Sequence, residues 1–280
     1  MPIALALAAA LFYGGADFLG GLASRRTSTM SVVVWSQALG LLLLAAVLPL
    51  FGAHAVASDV AWGAACGVAS AAAMVLLYRG LAIGTMGVVS PVSAVLGAAI
   101  PVIYGITLHG ERPAALAYGG IAAALAAVAC VSVAPGTRRA GGLPPGLAEA
   151  IGAGIAFAVF FIALAQTHAE AGLIPLLAAR VTSLVLLTAG ALAFGGIANV
   201  RVARPALGLV LLCGALDMCA NVFYVVAAHT GLLSIVVVLT QLYPATTVVL
   251  AGIVVRERLG RWQWIGVILA LGGALAIAAA

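Results

Sequence analysis

Two acidic residues, Asp17 and Asp217, lie deep inside long apolar stretches of this sequence. An ionised carboxylate near the centre of a bilayer costs about 2.5–3.5 kcal/mol, so it is tolerated where a cavity, a partner or a proton compensates for the charge. Such a group can bind a cationic solute or carry a proton. It can also hydrogen-bond a neighbouring helix and only hold the packing. The cation or proton role is the one we favour for both residues.

The neighbours of the two aspartates support that role. Asn221 and Tyr224 follow Asp217 at i+4 and i+7, which places them on the same face of a helix. Tyr13 lies one turn before Asp17, and glycines that let helices or a ligand approach surround this aspartate. Aromatic faces beside a carboxylate suit an organic cation or an amine through cation–π contact. We therefore predict that these five residues line a substrate site and that the two aspartates carry any coupling proton.

A stripe of small and polar residues follows in another apolar stretch. It consists of Ser90, Ser93, Gly97, Pro101 and Tyr104, whose spacing puts them on one helical face. Two interpretations remain open, a wet pathway or a tightly packed helix interface, because serine and glycine favour both. Ser90 and Ser93 are candidate substrate-binding residues, and Pro101 is a candidate kink.

Three further residues are candidates in the second half of the chain. Gln241 shares a face with Pro244, and Tyr243 lies between them in sequence. Because proline has no backbone N–H, Pro244 frees a carbonyl one turn earlier, which can serve a hinge, a substrate contact or a plain kink. We predict that Gln241 and Tyr243 bind substrate and that Pro244 is the hinge or kink.

Arg180 is the only arginine deep within an apolar stretch. It should pair with a carboxylate or face a cavity, and its candidate partners are Asp217 and Glu170. Ion pairing is favoured over direct contact with substrate, and the sequence cannot choose the partner.

Composition sets the environment in which these residues act. Charged residues make up 7% of the 280 residues and hydrophobic ones 65%, against about 25% charged in a soluble domain. Stretches of about 20 apolar residues can each cross the bilayer as a helix. A barrel would need alternating polar residues and is rejected. We predict an all-α polytopic membrane protein with ten transmembrane helices, at roughly 2–23, 30–51, 60–83, 87–108, 114–134, 147–168, 173–195, 204–229, 232–255 and 261–280.

The ten predicted spans form two halves, residues 1–134 and 147–280, joined by a linker at 135–146 that is rich in proline, glycine and arginine. When the chain is shifted by 146 residues, Tyr78 falls on Tyr224 and Glu111-Arg112 falls on Glu257-Arg258. Five spans is an odd number, so the second half would enter the membrane from the opposite side. The expected result is an inverted repeat, an arrangement in which transporters place the substrate site near the midplane between repeats.

The net charge of +5 comes from arginines in short loops, so it indicates topology and not a nucleic-acid surface. Nine of these arginines fall on one predicted side, which the positive-inside rule places in the cytoplasm, with both termini outside. Four histidines, His54, His109, His168 and His229, fall on the other side without metal-ligand spacing. We expect a multi-pass protein of the inner (plasma) membrane with no metal and no cofactor.

The pattern resembles the EamA family of the drug/metabolite transporter superfamily. The resemblance is carried by Gln241-Leu242-Tyr243-Pro244 before the corner Arg256-Glu257-Arg258-Leu259, and by Gly110-Glu111-Arg112 in the first half. It implies two five-helix repeats and the transport of a small metabolite such as an amino acid, an amine or a nucleoside. Pro91 and Pro101 do not align with Pro244, so the first copy departs from the pattern.

The sequence therefore predicts a secondary transporter of a small metabolite, with lipid and solute as partners and protons as a candidate coupling ion. Walker-type phosphate loops are absent, so an ion or substrate gradient must supply the energy. The alternative is an intramembrane enzyme on a lipid-linked substrate, with Asp17 and Asp217 as its acid/base pair. It is disfavoured because no nucleophile or metal cluster lies within the apolar stretches. A passive channel is disfavoured because no filter motif is present. Monomer and homodimer both remain open.

Overall fold

The computed structural model of the protein describes residues 2–51, 54–108, 114–132, 144–195, 200–230, 233–256 and 260–279. Within these ranges the chain is helical and contains no strand. In lipid a helix satisfies its own backbone hydrogen bonds, which is why long apolar segments adopt this form.

The helices follow the predicted order. Before the linker they are α1 (Pro2–Ser24), α2 (Thr29–Val47), α3 (Ala57–Ile83), α4 (Met86–Leu108) and α5 (Ala115–Ser132). After the linker they are α6 (Leu147–Ala165), α7 (Ile174–Gly195), α8 (Arg204–Thr230), α9 (Leu233–Thr240), α10 (Tyr243–Leu250) and α11 (Arg261–Ala278). Short 3₁₀ segments lie at Leu48–Leu50 and Ala169–Ala171, and a π-helical segment, Ala251–Val255, continues α10.

Eight of the described segments are long and apolar enough to cross a membrane. They are α1, α2 with its 3₁₀ extension, α3, α4, α6, α7, α8 and the composite segment Val236–Val255. The prediction of a multi-pass helical membrane protein is confirmed. Helices α5 and α11 lie where the fifth and tenth spans are predicted, but a total of ten membrane crossings stays a prediction.

The predicted ninth span is not one continuous helix. Residues 241 and 242 form a turn between α9 and α10, and Pro244 lies in the first turn of α10. Proline has no backbone N–H, so Pro244 cannot donate a hydrogen bond to the carbonyl of Thr240. The backbone hydrogen bonds of α9 therefore do not continue through residue 244. Pro101, by contrast, lies within α4, which is continuous across it.

Helices from the two halves pack against one another in a reciprocal pattern. The first helix of one half packs on the third of the other, as α1 does on α8 and α6 does on α3. Helix α2 packs on α7, and α5 packs on α11. These contacts bring α1, α3, α6 and α8 together at the centre of the bundle.

Close helix approach on both sides of Asp17 depends on glycine. A methyl group at Gly14 would collide with the backbone carbonyl of Tyr243 and the side chain of Thr246 in α10. A methyl group at Gly20 would collide with the ring of Tyr78 in α3. Helix α1 is thereby held between α10 and α3, with its aspartate facing the interior.

Several sequence features fall outside the described residues. These are His109, the corners at 110–112 and 257–259, and most of the predicted linker including Arg138 and Arg139.

Candidate functional site

A small cavity lies at the centre of the bundle, between α1, α3, α6, α7, α8 and the turn that separates α9 from α10. Its volume is about 40 Å³, room for roughly three water molecules. Its lining consists of Tyr13, Asp17, Ser70, Met74, Phe157, Phe160, Phe161, Arg180, Asp217, Asn221, Thr240, Gln241 and Tyr243. A solute larger than water therefore requires these walls to separate.

A buried ion pair forms one wall of the cavity. Arg180 Nη2 donates to Asp217 Oδ2, and only 4% of the arginine and 6% of the aspartate are exposed. Asn221 Nδ2 donates to the backbone carbonyl of Asp217 at 2.8 Å. Of the two candidate partners of Arg180, Asp217 is the one it contacts, and the pair ties α7 to α8.

Asp17 lies in the same cavity without such a partner. It is 6% exposed, and its carboxylate makes no hydrogen bond or ion pair with any residue that the structure describes. A carboxylate in a buried polar cavity without a partner is energetically costly, because the charged form has lost its water. The cost falls when a cation, a proton or ordered water occupies the space beside it.

The interrupted helix supplies further polar groups. Thr240 Oγ1 and Gln241 Oε1 are fully enclosed and have no hydrogen-bond partner among the described residues. The hydroxyl of Tyr243 is 2.9 Å from Ser93 Oγ, and either oxygen can be the donor. The break thus exposes polar groups to the cavity at a depth where a continuous apolar helix would present none.

Three phenylalanines of α6 form an apolar part of the lining. Phe157 stacks on Phe161 at a centroid separation of 6.5 Å, and Phe160 meets Phe161 edge-on at 5.3 Å. Their spacing of three and four residues puts them on one helical face.

A second, larger space lies towards one end of the bundle. This vestibule of about 330 Å³ is bounded by the C-terminal parts of α4, α6 and α8, and its lining includes Tyr104, Thr167, Tyr224 and His229. Between the vestibule and the central cavity, the rings of Phe161 and Tyr224 are 5.0 Å apart. This aromatic pair separates the two spaces.

The opposite end of the bundle is closed by direct packing. Tyr78 lies over Gly20, and its hydroxyl is 3.1 Å from Cys213 Sγ. Arg25 Nη2 donates to the carbonyls of Leu81 and Gly84, each at 3.3 Å. The turn between α1 and α2 is thereby fixed to the end of α3.

The histidines do not form a metal centre in the part of the chain that is described, where no group of three potential ligands occurs. His168 instead contacts Asp59, whose Oδ1 accepts from the backbone N–H of His168 and lies 2.9 Å from its Nδ1. This contact fixes the loop after α6 to the start of α3 at the vestibule end.

Six of the nine sequence-predicted substrate residues line the central cavity, namely Tyr13, Asp17, Asp217, Asn221, Gln241 and Tyr243. Ser93 is not part of the lining, but its hydroxyl contacts that of Tyr243, which is. Ser90 is fully buried away from the lining, and Tyr224 lines the vestibule.

Sequence reasoning missed several lining residues, which are Ser70, Met74, Phe157, Phe160, Phe161 and Thr240. The spacing of the three phenylalanines was a usable signal. Ser70 and Met74 lie in a stretch whose composition does not distinguish the faces of the helix.

Comparison with known proteins identifies the second half of the chain. Residues 144–279 match the sequence profile of the EamA-like transporter family. This half of the chain belongs to the EamA-like transporter family. The resemblance inferred from the sequence is thus confirmed over these residues, and the family to which they belong is part of the drug/metabolite transporter superfamily.

The fold of the chain occurs in a solved crystal structure. The two chains agree with a TM-score of 0.64 over 96% of this chain and 95% of the other, at 18% sequence identity. At that identity the likeness establishes the fold alone. No curated protein sequence matches significantly.

Proposed function

We propose that this protein is a secondary transporter that carries a small organic solute, an amino acid, an amine or an organic cation, through its central cavity. The observation that carries the proposal is Asp17, a buried carboxylate without a protein partner among the described residues. Membrane proteins retain such groups where an ion or a solute passes. The ion pair of Arg180 and Asp217 beside it provides a second charged contact.

Inverted repeats supply the mechanism that we propose. The reciprocal packing of α1 on α8 and of α6 on α3 is the pattern that a two-fold relation between residues 1–134 and 147–280 would produce. With five spans in each half, the related halves have opposite orientations in the membrane. Rocking one half against the other would then expose the midplane cavity to each side in turn.

The two ends of the bundle differ in the way that alternating access requires. The vestibule reaches inward as far as Tyr224, while Tyr78 and Arg25 close the other end. We infer that the structure represents a state in which the vestibule end is partly open and the aromatic pair of Phe161 and Tyr224 still covers the cavity.

Protons are the coupling ion that we propose. Asp17 can alternate between a proton and a cationic solute, because it is the acidic group in the described lining that has no protein partner. The rest of the charge in the cavity is neutralised by the pair of Arg180 and Asp217.

The enzymatic alternative receives less support from the same cavity. Asp217 is engaged by Arg180, so it is not available as the second member of an acid/base pair with Asp17. The lining contains no histidine or cysteine among the residues described. An acid/base reaction needs a positioned nucleophile or a second acid.

We also propose that the protein resides in the inner (plasma) membrane with its arginine-rich end in the cytoplasm. The vestibule would then open to the outside, because α8 begins at Arg204 near the arginine-rich end and reaches the vestibule at His229.

Transport by the purified full-length protein in liposomes tests the proposal. Radiolabelled L-phenylalanine, L-threonine, phenethylamine and tetraethylammonium, offered one at a time across an imposed pH gradient, represent the three solute classes. We expect at least one to accumulate above the level in protein-free liposomes. D17N should abolish that accumulation.

Glu149→Gln is the matched control, because it makes the same acid-to-amide change at a residue that contacts Arg79 at 3.4 Å, outside the cavity. Its transport should equal that of the wild type. Chemical conversion of a probe without relocation would support the enzymatic alternative instead.

A further inference from the structure

The charge of the central cavity defines the charge of its occupant. Its described lining carries three charged side chains, Asp17, Asp217 and Arg180. Arg180 and Asp217 neutralise each other in a direct ion pair. When Asp17 is ionised, the described lining carries a net charge of −1, so a monovalent cation makes the filled cavity neutral, whereas a zwitterion leaves the charge uncompensated. Uncompensated charge in a buried site is strongly disfavoured.

The unpaired oxygens of the cavity define the polar head of the occupant. Thr240 Oγ1 and Gln241 Oε1 are enclosed without a hydrogen-bond partner among the described residues, and both side chains line the cavity with Asp17. Gln241 is 8% exposed, and its amide lies beside Gly97 of α4. A protonated primary amine offers three N–H donors, which matches one carboxylate and two neutral oxygens. A quaternary ammonium carries the same charge but offers no donor.

The turn between α9 and α10 leaves one backbone carbonyl without its helical donor at the same place. Helix α9 ends at Thr240, and Pro244 cannot donate to the carbonyl of that residue. A single unpaired carbonyl favours a cation, but the N-terminal end of α10 at Tyr243 carries the opposite partial charge, so the two helix ends together give no net preference. The carboxylate of Asp17, which has no partner among the described residues, is therefore the group that favours a positively charged occupant at this end of the cavity.

The apolar part of the lining defines the remainder of the occupant. Phe157, Phe160 and Phe161 of α6 line the same cavity as the polar groups, and so do Tyr13 and Tyr243, whose ring centroids are 6.5 Å apart. An apolar body packs against these rings, while the ammonium group lies near the aspartate and the aromatic faces.

We propose that the cavity selects amphipathic amines, which carry a protonated primary amino group on an aromatic or alkyl body and have no carboxylate. This assignment rests on the proposed function and narrows its solute class. Asp17 binds the ammonium group, Thr240 and Gln241 accept its remaining N–H groups, and the phenylalanines of α6 contact the body.

Binding of radiolabelled phenethylamine to the purified full-length protein in detergent tests this assignment. Three competitors share the same phenyl body. L-phenylalanine adds a carboxylate, N,N,N-trimethylphenethylammonium keeps the charge but removes the N–H donors, and 2-phenylethanol removes the charge. We expect saturable binding of phenethylamine, with each competitor weaker than unlabelled phenethylamine by at least about tenfold, or 1.4 kcal/mol.

Variants locate the binding in the cavity. D17N should abolish binding of phenethylamine, D17E should retain part of it because the charge remains, and E149Q should leave it unchanged. A D17N protein that elutes as a single species and melts at or above the wild-type temperature shows that the loss is not due to unfolding. Retained binding in this variant, or no binding of phenethylamine to the wild type, would overturn the assignment.

The result for the amino acid separates this inference from the proposed function. If L-phenylalanine competes as well as phenethylamine, the amine assignment is wrong. The proposed transport function is then tested separately, by uptake of the amino acid into liposomes. If phenethylamine binds through Asp17 but is not moved across liposomes, the assignment is supported and the transport proposal fails.

Discussion

Asp17 and Asp217 line one cavity, but their surroundings give them different roles. Asp217 accepts from Arg180 and joins α7 to α8, whereas Asp17 has no such partner among the described residues. Removing one member of a buried ion pair costs about 3–5 kcal/mol, because the other charge is left uncompensated. Removing an unpaired buried charge has no such cost.

Neutralising the two aspartates should therefore have different effects on stability. Asp217→Asn should lower the melting temperature of the purified protein, because the change leaves Arg180 buried without its partner. Asp17→Asn should leave the melting temperature unchanged or raise it. Both variants should lose transport, which is measured per folded molecule in liposomes.

A double-mutant cycle checks the origin of the loss in Asp217→Asn. The protein with both Arg180→Gln and Asp217→Asn should melt at a higher temperature than either single variant, because neither charge is then left alone. If the two destabilisations simply add, the ion pair does not hold α7 to α8.

The sequence could predict which residues are chemically unusual, but only in part how they pair. A carboxylate or a guanidinium inside an apolar stretch is visible without a structure, so Asp17, Asp217 and Arg180 were all found. Glu170 and Asp217 were equally suitable partners of Arg180 by sequence, because helix packing and not spacing decides which is near. The role of Ser93 was also hidden, since its contact with Tyr243 crosses 150 residues of chain.

At the scale of the helices, the close contact of α1 with α10 fixes the position of Asp17. Thr247 Oγ1 donates to the backbone carbonyl of Gly14 at 3.1 Å, next to the place where a methyl group would meet α10. Any side chain at residue 14 must push the two helices apart. The displacement would move Tyr13 and Asp17 relative to Gln241 and Tyr243.

We therefore predict that Gly14→Ala destabilises the protein. Forcing an extra methyl group into a packed interface typically costs about 1–3 kcal/mol, more than the gain in helix propensity of about 1 kcal/mol. The melting temperature in detergent should fall, and the affinity for phenethylamine should fall with it.

Gly190→Ala is the control for this change. A methyl group at Gly190, inside α7, meets no atom within 4 Å among the described residues. This variant should be as stable as the wild type or slightly more so. If Gly14→Ala proves as stable as Gly190→Ala, α1 and α10 have room to separate and the prediction is wrong.

Helix positions were predictable because an apolar stretch of bilayer length has few alternatives to a helix. The interruption of the ninth span was harder to predict from the sequence. Pro244 signals a break, yet the turn falls at residues 241 and 242, before the proline. The location of the turn depends on which carbonyl loses its donor and on the packing of Tyr243 against α1. The residues around Pro244 do not determine either of these by themselves.

At the scale of the whole molecule, two tyrosines at matching positions of the halves have different environments. Tyr78 and Tyr224 are related by the shift of 146 residues, and both are fully buried. The hydroxyl of Tyr78 contacts Cys213, whereas that of Tyr224 has no partner within the described ranges and its ring meets Phe161. Sequence similarity between the halves could predict the pairing of positions. It could not predict which end is closed, because both halves carry the same tyrosine.

Matched cysteines at Ala82 and Ala228 test whether the two ends exchange these states. The shift of 146 residues relates these alanines, and Ala228 lines the vestibule while Ala82 lies at the closed end. In a background without the four native cysteines, a membrane-impermeant maleimide should label Ala228→Cys quickly from outside intact cells. Ala82→Cys should resist the reagent there and react only in inside-out vesicles, more slowly, because Leu81 and Gly84 beside it are held by Arg25. An imposed pH gradient with phenethylamine should speed labelling of Ala82→Cys and slow that of Ala228→Cys, since one end opens as the other closes.

Simultaneous acceleration at both positions would contradict alternating access. Labelling of Ala82→Cys from outside intact cells would show that the orientation inferred from the arginines is reversed.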